Sequence, residues 1–161
     1  MTAAMAHTDE QLMAWSLGVV PDAAVTLDAP AAPVPGQAAQ VSLYLMGLAP
    51  LPSAHGKPLA PYQLHLHYLV TVADADPLAS HQRLARLVFA AMQNPDFELD
   101  LTALPAAMWT AFGVAPRPSF VIRLPLRQAR AELPVRIVEH LPVIRSTTMA
   151  RAPLAKTRKG P

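Results

Sequence analysis

The chain has 161 residues, enough for one domain with a substantial hydrophobic core. Hydrophobic residues make up 52% of it and charged residues only 15%, and a surface short of charge tends to be covered by partners. There is no cysteine, which excludes disulfides, zinc–thiolate sites and cysteine nucleophiles. No apolar run reaches the length of a membrane span and the N-terminus has no secretory signal, so we expect a cytoplasmic protein without a membrane partner.

The charges are separated along the chain. Residues 1–100 carry nine acidic and three basic residues, for a net charge of −6, whereas residues 101–161 carry two acidic and ten basic residues, for a net charge of +8. This polarity favours ordered association with charged neighbours. The alternative is a neutral domain that carries a basic tail.

The N-terminal part of the sequence predicts a helix, a short strand and a loop. Thr8 is placed to cap the helix with Gln11 as its capping-box partner, and the helix should end near Gly18. A short strand is predicted over residues 25–28. The Pro- and Ala-rich segment 29–39 is predicted to be a loop.

Two long strands are predicted in the next part of the chain. Residues 41–48 read VSLYLMGL, and this mostly apolar run is typical of a strand buried on both faces. Four prolines and Gly56 predict a loop over residues 49–61. Residues 62–73 alternate between an apolar and a half-polar face, which predicts a strand that is buried on one side.

A helix should follow the second long strand. Pro77 suits its first position, and either Asp74 or Asp76 can cap it. The helix should end at Asn94, which precedes a proline. Its apolar stripe is formed by Leu84, Leu87, Val88, Ala91 and Met92.

The rest of the sequence predicts short elements. A strand is expected over residues 97–101, a helix over 104–112, a strand over 119–124 and an extended segment over 133–145. The element order favours an α+β (mixed α/β) fold with one twisted sheet and helices packed against it. We expect residues 1–145 to form a single domain, followed by a flexible basic tail, residues 146–161.

The sequence contains no recognisable catalytic motif. It has no nucleotide-binding glycine loop, no nucleophile elbow and no HExxH. The pair Ser80–His81 has no group to orient it. Asp96, Glu98 and Asp100 would share one face of a strand, where they either bind a cation or form a solvated sheet edge.

Two histidines on one strand raise the question of a metal site. His65 and His67 lie two residues apart, so both rings point to the same face of the predicted strand. A metal would need a third ligand, and no other histidine lies at a spacing typical of metal sites. A polar sheet face is the favoured interpretation. The alternative is a small metal-binding protein or metal-dependent enzyme that uses both histidines.

Basic residues are the candidate partner-binding groups. The C-terminal tail is basic but lacks interleaved aromatic residues and a nucleic-acid-binding motif, so we expect no nucleic acid partner. The candidate residues are Arg83, Arg86, Arg145, Arg151, Lys156, Arg158 and Lys159.

Several stretches occur in a recognisable order. VSLYLMGLAPLP precedes PLAPYQLHLHYLVTVADAD, which is followed by SHQRLARLVFAAMQNPDF and then by LPAAMWTAF, with Trp109, and PSFVIRLPL. This order, over roughly residues 40–126, resembles the cap or tail-terminator family of contractile injection systems. These systems are phage-tail-like particles with a tube, a sheath and a baseplate. The proline in RLPL and the basic C-terminal tail depart from the family pattern.

The resemblance implies a structural protein and not an enzyme, with no cofactor. It implies a homo-hexameric ring that stops tube and sheath growth at the end far from the baseplate, with the terminal tube and sheath proteins as partners. The chain would assemble in the cytoplasm and then be part of the injection particle. The resemblance also implies that His65 and His67 face away from the packed side of the sheet.

Overall fold

The computed structural model of the chain describes residues 2–51 and 61–128. All of these residues belong to one compact unit, Met1–Arg130. The predicted extended segment 133–145 and the predicted tail 146–161 lie outside the described residues, so the domain boundary between them stays a prediction.

The described chain contains three helices and five strands. They are α1 (Thr2–Val19), β1 (Ala24–Thr26), β2 (Gln40–Pro50), β3 (Tyr62–Ala73), α2 (Pro77–Met92), β4 (Glu98–Asp100), α3 (Ala106–Phe112) and β5 (Ser119–Gln128). The strands form one sheet in the order β1-β2-β3-β5-β4. β1 runs parallel to β2, and the other neighbours are antiparallel. The predicted α+β class is confirmed.

The register of the three long strands gives the sheet one continuous apolar face. Val70 of β3 lies opposite Leu43 of β2 on one side and Phe120 of β5 on the other. Val41 and Val72 form the next pair on the same face. Because side chains alternate along a strand, a one-residue slip would expose this whole set, so burial of the face fixes the register.

Helices α1 and α2 cover this face. Leu12 of α1 and Leu87 and Ala91 of α2 are fully buried in the core that the strands form. The predicted core of β3 and α2 is confirmed for Leu66, Tyr68, Val70 and Leu87, with Leu84 and Val88 partly buried against it. Leu64, which was also expected in this core, is only half-buried and lies outside it. Met92 does not belong to it either, because 59% of its surface is exposed.

The opposite face of the sheet is covered at one end by α3. The Phe112 ring of α3 meets Tyr44 of β2 edge-on, with ring centroids 5.3 Å apart. Leu69 and Thr71 lie on this face and are buried. The prediction of a one-sided strand therefore holds only for the first half of β3 and is wrong for the second.

The start of α1 differs from the prediction. The helix begins six residues before Thr8, which is an internal residue and not a cap. Its hydroxyl donates a hydrogen bond to the carbonyl of Ala4, one turn earlier, at 3.0 Å. A threonine that satisfies its hydroxyl in this way is compatible with a helix interior.

The end of β5 also differs from the prediction. The strand continues through Pro125 to Gln128 instead of ending at residue 124. The last pair between β5 and β4 joins Arg123 to Glu98, so within the described chain Pro125 lies beyond β4 on an open edge. A proline is tolerated at an edge because its missing N–H deprives no neighbouring strand of a hydrogen bond.

Candidate assembly surfaces

An ion-pair cluster fixes α2 to the segments before it. The guanidinium of Arg83 contacts Asp22, which follows α1, at 2.7 Å, and also pairs with Asp74, which follows β3. The hydrogen bond from Arg83 holds the pKa of Asp22 below its usual value. Asp74 is thus committed to Arg83, while Asp76 caps α2 by accepting a hydrogen bond from the Leu78 amide at 3.0 Å.

The two candidate arginines of α2 differ in availability. Arg83 is engaged by two carboxylates of its own chain. Arg86 is exposed, and among the described residues no hydrogen bond or ion pair to it is found. Arg86 therefore makes no direct contact with a carboxylate of the described chain, although its charge also helps to lower the pKa of Asp22.

A buried hydroxyl ties α1 to the sheet. Tyr68, at the centre of β3, is fully buried and donates a hydrogen bond to the Asp9 carboxylate of α1 at 2.5 Å. Burial raises the pKa of the Tyr68 hydroxyl, and the hydrogen bond to Asp9 raises it further. This contact fixes the position of α1 over β3, which sequence patterns alone did not reveal.

Two members of the acidic triplet have a structural role at the sheet edge, whereas Asp96 lies before β4. Glu98 and Asp100 both bind the guanidinium of Arg123 in β5, at 3.0 and 2.6 Å. Hydrogen bonds from Thr102, and then the charge of Arg123, hold the pKa of Asp100 below its usual value. β4 is the last strand of the sheet, so these carboxylates line an edge, as one of the two interpretations predicted.

The two histidines lie on the sheet face opposite α1 and α2. His65 pairs with Pro125 of β5, and His67 pairs with Arg123. A guanidinium next to His67 disfavours a metal cation at that position. Within the described residues, no group of three or more His, Cys, Asp or Glu side chains comes together to hold a metal ion. The metal hypothesis therefore lacks a third ligand there.

A cleft between α1 and the end of β5 has a volume of about 500 Å³. Asp96 is the single ionisable group among its lining residues. The Thr8 hydroxyl at its wall already donates to the Ala4 carbonyl. The cleft therefore offers no nucleophile with an adjacent base. Its residues are Thr8, Gln11, Leu12, Ala14, Trp15, Asn94, Asp96, Phe97, Leu124 and Pro125.

An apolar stripe lies on the exposed side of α2. Leu78, Phe89 and Met92 are 65%, 64% and 59% exposed, and Ala85 between them is also exposed. Spacings of seven, four and three residues place the four side chains on one side of the helix. We call this set the α2 seam. In the sequence, the α2 seam is visible as a second apolar stripe beside the predicted core stripe. Met92 was assigned to the core stripe but belongs to the seam.

The remaining candidate residues, Arg145, Arg151, Lys156, Arg158 and Lys159, lie outside the described residues. The described part carries nine acidic and five basic residues, for a net charge of −4. No helix in that part is long and apolar enough to cross a membrane.

Two solved structures with the same architecture are terminators of contractile injection particles. The sheath/tube terminator of the extracellular contractile injection system PVC, in its extended state, matches 89% of this chain with a TM-score of 0.59 and 16% identity. The tube-terminating cap of the anti-feeding prophage AFP matches 83% with a TM-score of 0.52 and 14% identity. The chain shares the fold of these two proteins. The resemblance predicted from the strand and helix motifs is confirmed at the level of the fold.

The chain is shorter than the terminators that it matches. It spans 64% of the length of the PVC terminator and 60% of that of the AFP cap. No protein-family model matches the sequence, and no curated protein sequence does. The likeness therefore lies in the arrangement of helices and strands, with 16% and 14% of the residues identical.

Proposed function

We propose that this chain terminates the tube and sheath of a contractile injection particle. The observation that carries the proposal is the match of 89% of the chain to a sheath/tube terminator at a TM-score of 0.59. The chain would form a homo-hexameric ring at the end far from the baseplate. It would be made in the cytoplasm and would then remain part of the particle.

The mechanism is geometric and needs no catalysis. One side of the ring binds the last tube or sheath layer, and the other side offers no surface on which a further layer can grow. Several weak contacts made by one ring add up to tight binding, because each contact after the first is intramolecular.

Basic residues would strengthen this assembly. The described part has a net charge of −4, whereas residues 129–161 carry seven basic and two acidic residues. A cationic tail therefore has acidic surface to bind on a neighbouring subunit, with tube or sheath protein as a further partner. Each exposed charge pair contributes only about 0–1 kcal/mol, so the tail adjusts assembly and does not determine it.

The proposal is tested by locating the chain on assembled tubes. Tube protein from the same particle is polymerised with the chain carrying a gold label, and the label is mapped by electron microscopy. We expect the label at one end of each tube and not along its side. Label spread along the tubes, or its absence from them, would contradict termination. A tube protein from an unrelated particle is the control for non-specific binding.

A further inference from the structure

The cleft between α1 and the end of β5 carries an unpaired negative charge. Its volume is about 500 Å³, and Asp96 is the single ionisable residue that lines it. The Asp96 side chain is exposed, and among the described residues its carboxylate forms no ion pair. No lysine or arginine lies in the wall of the cleft. A cleft that is lined by charge of one sign attracts ligands of the opposite sign.

The neutral polar groups of the cleft add hydrogen-bond acceptors. The Thr8 hydroxyl donates its proton to the Ala4 carbonyl at 3.0 Å, so its oxygen is left as an acceptor. The side-chain oxygen of Asn94 accepts from the Asp96 amide at 3.0 Å and keeps a second lone pair. Acceptors of this kind suit a guanidinium or an ammonium group, because both groups carry donors only.

Two aromatic rings complete the wall. Trp15 and Phe97 line the cleft, are half-buried, and meet edge to face with ring centroids 5.0 Å apart. The face of an aromatic ring attracts a cation, and that of tryptophan does so most strongly. The apolar walls can also cover the aliphatic stem of a lysine or arginine while its charged end stays near water. The combination of rings, acceptors and one carboxylate fits a basic side chain.

The chain itself supplies such side chains. Residues 146–161 contain Arg151, Lys156, Arg158 and Lys159 and no acidic residue. The described part carries nine acidic and five basic residues, so its charge is complementary to that of the tail. A second copy of the chain is therefore a partner whose chemistry matches the cleft.

We propose that the cleft of one copy binds a lysine or arginine side chain from the C-terminal tail of the next copy. Asp96 pairs with the charged end of that side chain, and Trp15 lies against it. The contact joins two different surfaces, and head-to-tail contacts of this kind generate rings when the rotation closes. This inference rests on the ring of the proposed function and assigns the tail its binding site there.

A double-mutant cycle in the full chain tests the pairing. Asp96→Asn keeps the size of the side chain and removes its charge. It should weaken the association between copies, followed by sedimentation at low salt, about fivefold. The same substitution should have no further effect in a full-length variant whose four tail cations are replaced by glutamine, because the partner charge is then gone.

Asp28→Asn is the matched control for the cleft. Asp28 is also exposed and forms no ion pair within the described chain, but it follows β1, at the opposite edge of the sheet from β4. Its substitution should leave association unchanged. Equal weakening by both substitutions would mean that the tail meets acidic surface without a defined site, and this would overturn the proposal. An unchanged association for Asp96→Asn, or an equal loss in the glutamine variant, would overturn it as well.

Site-directed cross-linking locates the tail directly, because the chain has no cysteine of its own. Ala14 is exposed at the wall of the cleft, and Ala155 precedes Lys156 in the tail. Full-length Ala14→Cys and Ala155→Cys variants are purified separately, mixed, and treated with a short bis-maleimide. We expect a covalent dimer joined through positions 14 and 155, identified by mass spectrometry. Ala111→Cys, an exposed position on α3, is the control and should give much less dimer with Ala155→Cys.

The other outcomes of the cross-linking overturn the proposal. The absence of a dimer from the mixture would mean that the tail of another copy does not reach the cleft. An equal yield with Ala111→Cys would mean that the tail has no preferred site. Neither experiment needs tube or sheath protein, so failure of the tail contact is distinct from failure of termination, which would appear in the labelling experiment.

Discussion

Leu87→Ala is the substitution that tests most simply whether α2 is packed on the sheet. Leu87 is fully buried in the core shared with β3 and β5. The substitution removes three carbon atoms, which at about 0.8 kcal/mol each amounts to about 2.4 kcal/mol of lost burial. The surrounding strands are held by their register and do not collapse into the space, so a cavity term is added. We expect a total loss of about 3–5 kcal/mol in the free energy of unfolding.

Urea unfolding of both proteins measures this loss. The midpoint should fall while the dependence on urea stays unchanged, because the surface exposed on unfolding is the same. Leu78→Ala on the same helix is the matched control, since Leu78 is 65% exposed. It should cost less than about 1 kcal/mol at a protein concentration low enough to prevent association. A loss below about 1 kcal/mol for Leu87→Ala, or equal losses for both variants, would refute the packing of α2 described above.

Three further predictions address individual contacts. Tyr68→Phe leaves Asp9 without its partner and should cost about 1.5–3 kcal/mol in the free energy of unfolding. Because the folded protein raises the Tyr68 pKa, the hydroxyl contact stabilises the fold below about pH 10, and this contribution is lost as the pH rises further. The wild type should therefore lose more stability than the variant in alkaline melts. Replacing His65 and His67 together by glutamine should leave folding and metal content unchanged. Deleting residues 148–161 should leave a folded protein whose association is weaker and less sensitive to salt.

The outcomes that would contradict these three predictions are distinct. Identical alkaline melts of the wild type and the Tyr68→Phe variant would show that the hydroxyl contact does not stabilise the fold. A melting temperature of the wild type that falls on addition of a chelator would revive the metal hypothesis. A truncated chain that fails to fold would place the tail in the core, and equal association at every salt concentration would remove its role in assembly.

The best-predicted elements were those with strong local signals. β3 was predicted over residues 62–73 because its polar and apolar residues alternate from the first position, and it occupies those residues. The start of α2 was predicted because an aspartate before a proline is both a cap and a helix start. The structure selects Asp76 over Asp74 because Asp74 is bound to Arg83, a choice that depends on tertiary contacts.

The features that were missed depend on what lies beside an element. Pro125 was expected to end β5, but the cost of a proline depends on whether a strand runs along its outer side, which the sequence does not show. Leu69 and Thr71 are buried on the sheet face where Phe112 of α3, from a distant part of the chain, meets Tyr44, the β2 partner of Leu69. The seam on α2 was hidden because Met92 fits both apolar stripes of the helix, and only the packing of the helix separates them.

Tube length is the measurement that tests the central claim most directly. Tube protein is polymerised from short seeds, the chain is added during growth, and lengths are measured by electron microscopy against a sample without the chain. The account predicts that growth stops at the end that carries the chain and continues only at the other end, so the tubes become shorter than those of the untreated sample. Continued growth at the rate of the untreated sample, with the chain bound to the tubes, would contradict it.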